Sequence, residues 1–414
     1  MSPVQQARVP HIIQNDATQP VPILCGPASI QAILYGLDNA KFSPPTSAVL
    51  NVSVPVVADQ NTIFNEVKRV TTTVATQTGF AAGGAGPELI CELQSGGPPI
   101  CWVTHPKVLG ILVSQGVATS ALQLQGVQGA KVQTIPEAHA PAALLDSLER
   151  GVGAALLIDR LHWVVVYKSE PLPNNDRTFY YHDPLTTAPT QWADLDSMMA
   201  EIVDIDGHGV SQTAVVGASG GAPLAALHHP APAPVASAVA APAGLHQLAQ
   251  QDFSTTVGTA IQTLQHLGPG LANKAPSRVL SVRHQRKPAG NYNILEFDRD
   301  ALVVVDAQTR KARVISAVSE PGQELPTILD AAAIATKIDG KAIEVDGREV
   351  VLKKGTFEIE EELVWDRCDQ SRSMFAPFYV VRQPGPDGAH DDTVYVRSVD
   401  GAVFAHLTRR LCGA

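Results

Sequence analysis

Cys25 occupies a position in which a cysteine nucleophile could be held. The approach to it is polar and broken by prolines, and an apolar helical pattern begins directly after it. The apolar positions of that helix repeat at intervals of three and four residues: Ile30, Ile33, Leu34 and Leu37. Cys25 is therefore expected at or just before a helix N-terminus, where free N–H groups and the helix dipole stabilise a thiolate.

Gln19 lies six residues before that thiol. Its side-chain amide can point at the same place as the backbone N–H of Cys25, and two such donors would form an oxyanion hole. The alternative is that Cys25 is a small core residue ahead of a buried helix, which is the commoner role of a lone cysteine. The choice between these roles depends on whether the chain also supplies a base.

His162 and Asp183 supply a base and a group to orient it. One strand pattern begins at His162 and a second ends near Asp183, with a turn rich in Pro and Asn between them. Pairing around that turn places the two residues opposite each other or one diagonal step apart, on one face of the sheet. A thiol nucleophile needs a base, the imidazole needs a group that fixes its tautomer, and the oxyanion needs donors. Gln19, Cys25, His162 and Asp183 fill these roles once each.

The order and local sequence of these residues resemble papain-like cysteine peptidases, in particular the bacterial branch related to the double-glycine bacteriocin-processing peptidases. Three motifs within residues 8–215 carry the resemblance: Gln-x5-Cys-Gly-Pro-Ala-Ser at a helix start, His-Trp-Val-Val-Val on a strand and Tyr-His-Asp-Pro at a strand end. The resemblance implies that Cys25 is the nucleophile, His162 the general acid/base and Asp183 the group that orients the imidazole. It implies Gln19 as the oxyanion donor. Gln14 is a rival for that role, because some relatives place the glutamine further upstream.

Members of this set also have purely structural explanations. His162 could be a buried, hydrogen-bonded histidine, and Asp183, which precedes a proline, could cap a turn. Because neighbours on a strand alternate, His182 is expected on the opposite face from His162. Trp163 is expected in the core.

Three other motifs are expected to have structural rather than catalytic or ligand-binding roles. The glycine-rich run 79–87 lacks the Gly-Lys-Ser/Thr of a phosphate loop, so we expect a turn that opens a helix at 87–90. Cys101 and His105 would share a strand face, but nothing orients the histidine as a base. His228 and His229 belong to a segment of biased composition with no further ligand nearby. We therefore expect neither a metal nor another cofactor.

Composition argues against several classes of function. The formal net charge of −10 argues against a general nucleic-acid or anionic-membrane surface. No apolar run has the length of a membrane span, and the N-terminus has no secretory signal pattern. The cysteines are odd in number and widely spread, which is typical of free thiols in a reducing compartment: Cys25, Cys91, Cys101, Cys368 and Cys412. We expect a cytoplasmic protein, with leaderless export as an effector left open.

The length of 414 residues predicts more than one domain. We predict an α+β fold with a papain-like domain over 1–215, in which the cysteine helix packs on an antiparallel sheet. An Ala/Pro-rich linker over 216–250 and a β-rich domain over 251–414 follow. The linker is indicated by the absence of any Lys, Arg, Asp or Glu between Asp206 and Asp252. In the first domain, 41–59 is expected to be loop and Asn61–Val70 helix; in the last, Asp346-Gly347 predicts a hairpin turn.

The function predicted from these features is hydrolysis of a peptide or isopeptide bond through a thioester on Cys25. The C-terminal domain is expected to recruit a protein substrate or partner. With an amine or thiol acceptor in place of water, the same site would be an acyltransferase; a non-catalytic protein-binding module is the remaining alternative. Cleavage after small residues such as Gly-Gly is a narrower hypothesis. Gly220-Gly221 would then be a self-processing site, although composition favours a simple linker there.

Overall fold

The computed structural model describes most of the chain outside the central segment. The described residues are 4–14, 24–37, 54–78, 90–92, 100–102, 104–158, 162–172, 176–186, 189–202, 212–219, 258, 274–287, 290–318, 325–368, 370–385 and 391–408. The predicted linker and Gly220-Gly221 lie outside these residues, as do His228, His229 and Gln19.

The helices that position the site lie in the first half of the sequence. They are α1 (Cys25–Leu37), α2 (Val54–Thr78), α3 (Pro106–Gln115), α4 (Ala140–Glu149) and α5 (Leu195–Ile202); α6 (Ala331–Ile338) lies in the second half. Every residue of α1 from Cys25 to Tyr35 is buried, so α1 is a central helix covered on all sides rather than a surface helix with one apolar stripe. No helix among the described residues is both long and apolar enough to span a membrane.

The strands alternate with these helices and then dominate the second half. They are β1 (Gln5–Gln6), β2 (Ile90–Glu92), β3 (Ile100–Trp102), β4 (Gly116–Ala118), β5 (Gln123–Gln125), β6 (Ala130–Pro136), β7 (Ala154–Ile158), β8 (His162–Pro171), β9 (Arg177–His182), β10 (Pro189–Trp192), β11 (Gln212–Ala218), β12 (Arg278–His284), β13 (Tyr292–Phe297), β14 (Ala301–Asp306), β15 (Ala312–Ala317), β16 (Ala342–Val345), β17 (Arg348–Val351), β18 (Glu358–Ile359), β19 (Leu363–Trp365), β20 (Phe378–Pro384), β21 (Asp391–Arg397) and β22 (Val403–Phe404).

Sixteen of these strands form one large sheet. Its order is β22-β21-β20-β19-β12-β13-β14-β15-β10-β9-β8-β7-β11-β6, with β1 paired to β8 and β18 paired to β20. Among the described strands of this sheet, β12 and β19 pair in parallel and the other pairs are antiparallel. The fold is therefore mixed, with a large and mostly antiparallel sheet and few helices, as the predicted α+β class requires.

The sheet runs without interruption from the first half of the sequence into the second. Strand β10 pairs with β15, which sets Thr190 opposite Ser316 and Trp192 opposite Val314. One hydrophobic cluster also contains buried residues from both halves, including Trp192 and Trp365. The predicted domain boundaries stay predictions, but the parts before residue 219 and after residue 274 share a sheet and a core.

Three local predictions were wrong. Helix α2 begins at Val54, so the end of the segment expected to be loop is helical. Ile90, expected in a helix, begins β2. Leu37 was placed on the inward stripe of α1 but is 38% exposed, because it is the last residue of the helix and lies beyond the buried part.

The strand-rich second half follows its local sequence signals. Asp346 and Gly347 have positive φ angles of 50° and 76° and join β16 to β17, as a two-residue turn of this type requires. Helix α6 begins after Asp330, whose carboxylate accepts the N–H of Ala333.

Candidate active site

Cys25 is the first residue of α1 and is 4% exposed. The close packing of the next residue fixes this helix start, because a Cβ on Gly26 would lie 2.3 Å from Oγ1 of Thr104. The backbone carbonyl of Thr104 in turn accepts the indole N–H of Trp163 at 3.0 Å. Thr104 therefore connects the start of the cysteine helix to the strand residue next to His162.

His162 is the first residue of β8 and is fully buried, and its Nε2–H donates to Oδ1 of Asp183 at 2.7 Å. The register explains this contact. Val165 lies opposite His182, so Asp183, the residue after β9, lies diagonally across from His162 on one face of the sheet. The diagonal arrangement is one of the two expected from the turn position.

Two further hydrogen bonds hold Asp183, and a third holds the residue after it. Oδ1 of Asp183 also accepts the backbone N–H of Leu185 at 2.9 Å, and its carbonyl accepts Nε2–H of His11 at 3.0 Å. The carbonyl of the next residue, Pro184, accepts the backbone N–H of Gln14 at 2.8 Å. The arm before α1 therefore fixes the backbone at Asp183 and at the residue that follows it.

His182 faces the other side of the sheet from His162, as strand alternation predicts. Its ring stacks between His11 at 4.5 Å and Tyr167 at 4.1 Å, measured between ring centroids, and its Nε2–H donates to the carbonyl of Val9. Burial and the neighbouring His11 keep the pKa of His182 well below the ordinary value of 6.5. This stack braces the arm that carries His11 against the strands.

Arg372, from the segment between β19 and β20, reaches the candidate nucleophile. Its Nη1–H donates to Sγ of Cys25 at 3.3 Å, across 347 residues of sequence, and the residue is only 9% exposed. Sequence reasoning missed this residue, because no local pattern indicates that a distant loop will return to α1. Its only sequence signal is a basic residue in an otherwise small and apolar stretch, Ser-Arg-Ser-Met-Phe-Ala.

The charges around the thiol lower the pKa of Cys25 and raise the pKa of His162. Burial alone would raise the pKa of Cys25, but the charge of Arg372 and the interaction with His162 outweigh it, so the pKa lies below the ordinary 9.0. Burial alone would lower the pKa of His162, but Asp183 and Cys25 raise it above 6.5. Burial would raise the pKa of Asp183, yet the charge and hydrogen bond of His162 hold it below its ordinary range.

The two glutamines proposed for the oxyanion hole differ in what the structure describes. Gln19 lies outside the described residues. Gln14 is buried and lines a cavity of about 260 Å³ with Leu185, Ser371 and Arg397. The oxyanion role of either residue stays a prediction.

The remaining chemistry-bearing residues have structural surroundings. His105 caps α3 by accepting the N–H of Lys107, and Cys101 lies on β3. Cys368 is buried, with its thiol 3.7 Å from the carbonyl of Ser371. Within the described part of the chain, no group of three or more His, Cys, Asp or Glu side chains could hold a metal ion.

Comparisons with known proteins identified no similar protein. No protein-family model matches the chain, and neither the curated proteins nor the solved structures include a significant match to it.

Proposed function

We propose that this chain is a cysteine peptidase of papain-like architecture that cleaves peptide or isopeptide bonds through a thioester on Cys25. One observation carries the proposal. The thiol lies at the N-terminus of buried helix α1, where His162 and Arg372 lower its pKa, and Nε2–H of His162 donates to Asp183 at 2.7 Å. A nucleophile, a base and a group that orients the base are the minimum set for this chemistry.

The proposed acylation step begins with the thiolate of Cys25 and the imidazolium of His162. The sulfur attacks the substrate carbonyl carbon, an S–C bond forms, and the carbonyl electron pair moves to oxygen. When the tetrahedral intermediate collapses, the C–N bond breaks and the leaving amine takes the proton from Nδ1 of His162. Nδ1 suits this transfer because Nε2 is committed to Asp183, and Nδ1 forms no hydrogen bond among the described residues.

Deacylation reverses the proton movement. Neutral His162 takes a proton from water at Nδ1, the hydroxide attacks the thioester carbonyl, and the C–S bond breaks to release the acid and restore the thiolate. Asp183 stabilises the imidazolium that is present at the start of acylation and forms again in deacylation. The backbone N–H of Cys25 and the side chain of Gln19 or Gln14 are proposed as the oxyanion donors.

Selective alkylation of the full chain tests the nucleophile. We expect iodoacetamide to modify Cys25 near neutral pH far faster than Cys91, Cys101, Cys368 or Cys412, as measured by mass spectrometry of tryptic peptides. His162→Ala should remove that difference, because the thiol loses its base. Equal rates at the accessible thiols would favour a non-catalytic binding module.

A peptide-library digest tests the reaction. The wild-type chain should cleave a subset of peptides and Cys25→Ala should cleave none, with the products identified by mass. Adding glycinamide as an acceptor separates the two enzyme classes, since a transferase would yield the glycinamide adduct and a hydrolase the free acid. Unchanged peptides with both variants would refute the proposal. Wild-type and Cys25→Ala chains incubated alone also test Gly220-Gly221, where a Cys25-dependent loss of intact mass would indicate self-processing.

A further inference from the structure

Strands β2 and β3 pair in an antiparallel two-stranded sheet that sets two cysteines opposite each other. Cys91 lies directly opposite Cys101, and Ile90 lies opposite Trp102. The residues between the strands read Leu-Gln-Ser-Gly-Gly-Pro-Pro, a composition that favours a turn. Two cysteines that are ten positions apart in sequence are therefore brought to neighbouring backbone positions.

The backbone spacing of such a pair suits a disulfide bond. The Cα atoms of directly opposite residues on antiparallel strands lie about 4.5 or 5.5 Å apart, depending on whether the pair is hydrogen-bonded. Disulfides bridge Cα atoms that lie about 4.4–6.8 Å apart. Directly opposite residues also belong to the same face of their sheet. Cys91 and Cys101 therefore occupy positions within the backbone distance that a disulfide spans.

The other described cysteines have different surroundings. Cys25 and Cys368 are buried free thiols. The first accepts Nη1–H of Arg372, and the second lies 3.7 Å from the carbonyl of Ser371 in its own segment. Of the strand pairs in the described part of the chain, only β2 and β3 set one cysteine opposite another.

We propose that Cys91 and Cys101 are a redox modification site, at which the chain forms an intrachain disulfide with a low-molecular-weight disulfide as the oxidant. Oxidised glutathione represents that class of oxidant. Neither cysteine belongs to the candidate catalytic set, so the proposal stands apart from the peptidase function. In the sequence alone both cysteines have the spacing of free thiols, and the strand register is what pairs them.

The proposed exchange proceeds in two steps. The thiolate of one cysteine attacks a sulfur of oxidised glutathione, a mixed S–S bond forms, and the S–S bond of the oxidant breaks. The thiolate of the opposite cysteine then attacks the first cysteine's sulfur and displaces the second glutathione. The two thiols lose two electrons and two protons in total, and the oxidant leaves as two molecules of reduced glutathione. The second step depends on the strand register, because both sulfurs must meet across one strand pair.

Disulfide mapping of the full chain tests the proposal. The reduced chain is incubated with oxidised glutathione, its remaining thiols are blocked with N-ethylmaleimide, and a protease that cuts after glutamate digests it without reductant. Glu92 lies between the two cysteines, so complete cleavage gives peptides 89–92 and 93–137. We expect mass spectrometry to find these peptides joined, at their combined mass less two hydrogens, and to find them separate after reduction with dithiothreitol.

Cys101→Ser/Ile100→Cys is the matched control, because it keeps the number of thiols and moves one of them by a single residue. Position 100 lies opposite Glu92 and on the other face of the strand from position 101. In samples taken over time, the joined peptide should form about tenfold more slowly than in the wild type. Cys25→Ala removes the candidate nucleophile and should form the joined peptide at the wild-type rate.

Several results would overturn the proposal. A mixed disulfide with glutathione that persists on Cys91 or Cys101 would show that the second thiol does not reach the first. Equal rates in the wild type and the matched control would show that the register does not select the partner. Recovery of both cysteines as maleimide adducts, or joined to Cys25, Cys368 or Cys412 instead, would also overturn it. Each of these results leaves the peptidase proposal to its own tests by alkylation and peptide cleavage.

Discussion

Arg367 and Glu201 form a buried ion pair that connects the second half of the sheet to the first, with Nη2 of Arg367 2.6 Å from Oε2 of Glu201. The two residues are 166 positions apart in sequence. Glu201 lies in α5, and Arg367 lies five residues before Arg372, the residue that contacts the candidate nucleophile. The pair therefore anchors the segment that completes the site.

Removing one member of this ion pair should destabilise the fold. Arg367→Met leaves the Glu201 carboxylate buried without that cation, and we expect the free energy of unfolding to fall by about 3–5 kcal/mol. The double variant Arg367→Met/Glu201→Gln should recover part of the loss, because no buried charge remains unpaired. Urea unfolding followed by tryptophan fluorescence measures both. Arg382→Met is the matched control, since Arg382 is half-exposed and pairs with Glu360. A single variant no less stable than this control would contradict the prediction.

Gly26→Ala should disturb the start of α1. The added Cβ would meet all three side-chain heavy atoms of Thr104 between 2.3 and 2.7 Å, so the helix start or the threonine must move. We expect a loss of about 1–3 kcal/mol in stability and a slower reaction of Cys25 with iodoacetamide. Thr104→Gly in the same chain removes the clashing atoms and should restore part of the reactivity. Additive losses in the double variant would show that this contact does not position the thiol.

The reactivity of Cys25 should depend on pH in a way set by its two cationic neighbours. Because Arg372 and His162 lower the pKa of the thiol, alkylation should reach its half-maximal rate below pH 9.0, the ordinary value. Arg372→Met removes one positive charge and should move that midpoint to higher pH. A midpoint that does not move would mean that the guanidinium does not act on the sulfur.

The fall of hydrolytic kcat/KM at high pH should depend on Asp183. The carboxylate raises the pKa of His162, so the imidazolium that protonates the leaving amine persists to higher pH. Asp183→Asn removes that charge, and the fall of kcat/KM should then move to lower pH. The rise of kcat/KM at low pH follows ionisation of the Cys25 thiol and serves as the internal reference.

His182 should make the protein less stable in mild acid. Its pKa is lowered in the folded chain, so below about pH 6.5 the unfolded chain binds more protons and the free energy of unfolding falls with decreasing pH. The slope from one such group approaches about 1.4 kcal/mol per pH unit. His182→Gln keeps an N–H donor for Val9 and should flatten the curve. His284→Gln should act in the same direction, since burial and nearby cations lower the pKa of His284 to about 4. Parallel curves for wild type and His182→Gln would contradict the prediction.

Local sequence predicted the elements that place the candidate catalytic residues. The proline-broken approach and the apolar repeat put the helix start at Cys25, and the turn between two strand patterns put His162 within reach of Asp183. Both features depend on residues close together in sequence, where spacing fixes which side chains share a face.

The features that sequence did not predict depend on long-range packing. Helix α2 begins at Val54, within a stretch whose proline and β-branched residues favour other structure, and its packing against α1 is a contact that local sequence does not encode. Arg372 lies between β19 and β20, in the same sheet as the strands next to Cys25, and no spacing in the sequence encodes that arrangement. Sequence reasoning therefore selected Cys25, His162 and Asp183, whose catalytic roles stay predictions, but not the cation beside the sulfur.

The hydrogen bonds between β10 and β15 should keep the two parts of the protein together after the chain is cleaved between them. A cut anywhere between residues 219 and 274 would leave two pieces, one with the thiol and the other with the guanidinium beside it. Strand pairing, a common core and the Arg367–Glu201 bridge would hold those pieces in one non-covalent complex. Co-expressed as separate chains, they should reconstitute the candidate site, and each fragment is incomplete until the other adds its strands to the same sheet.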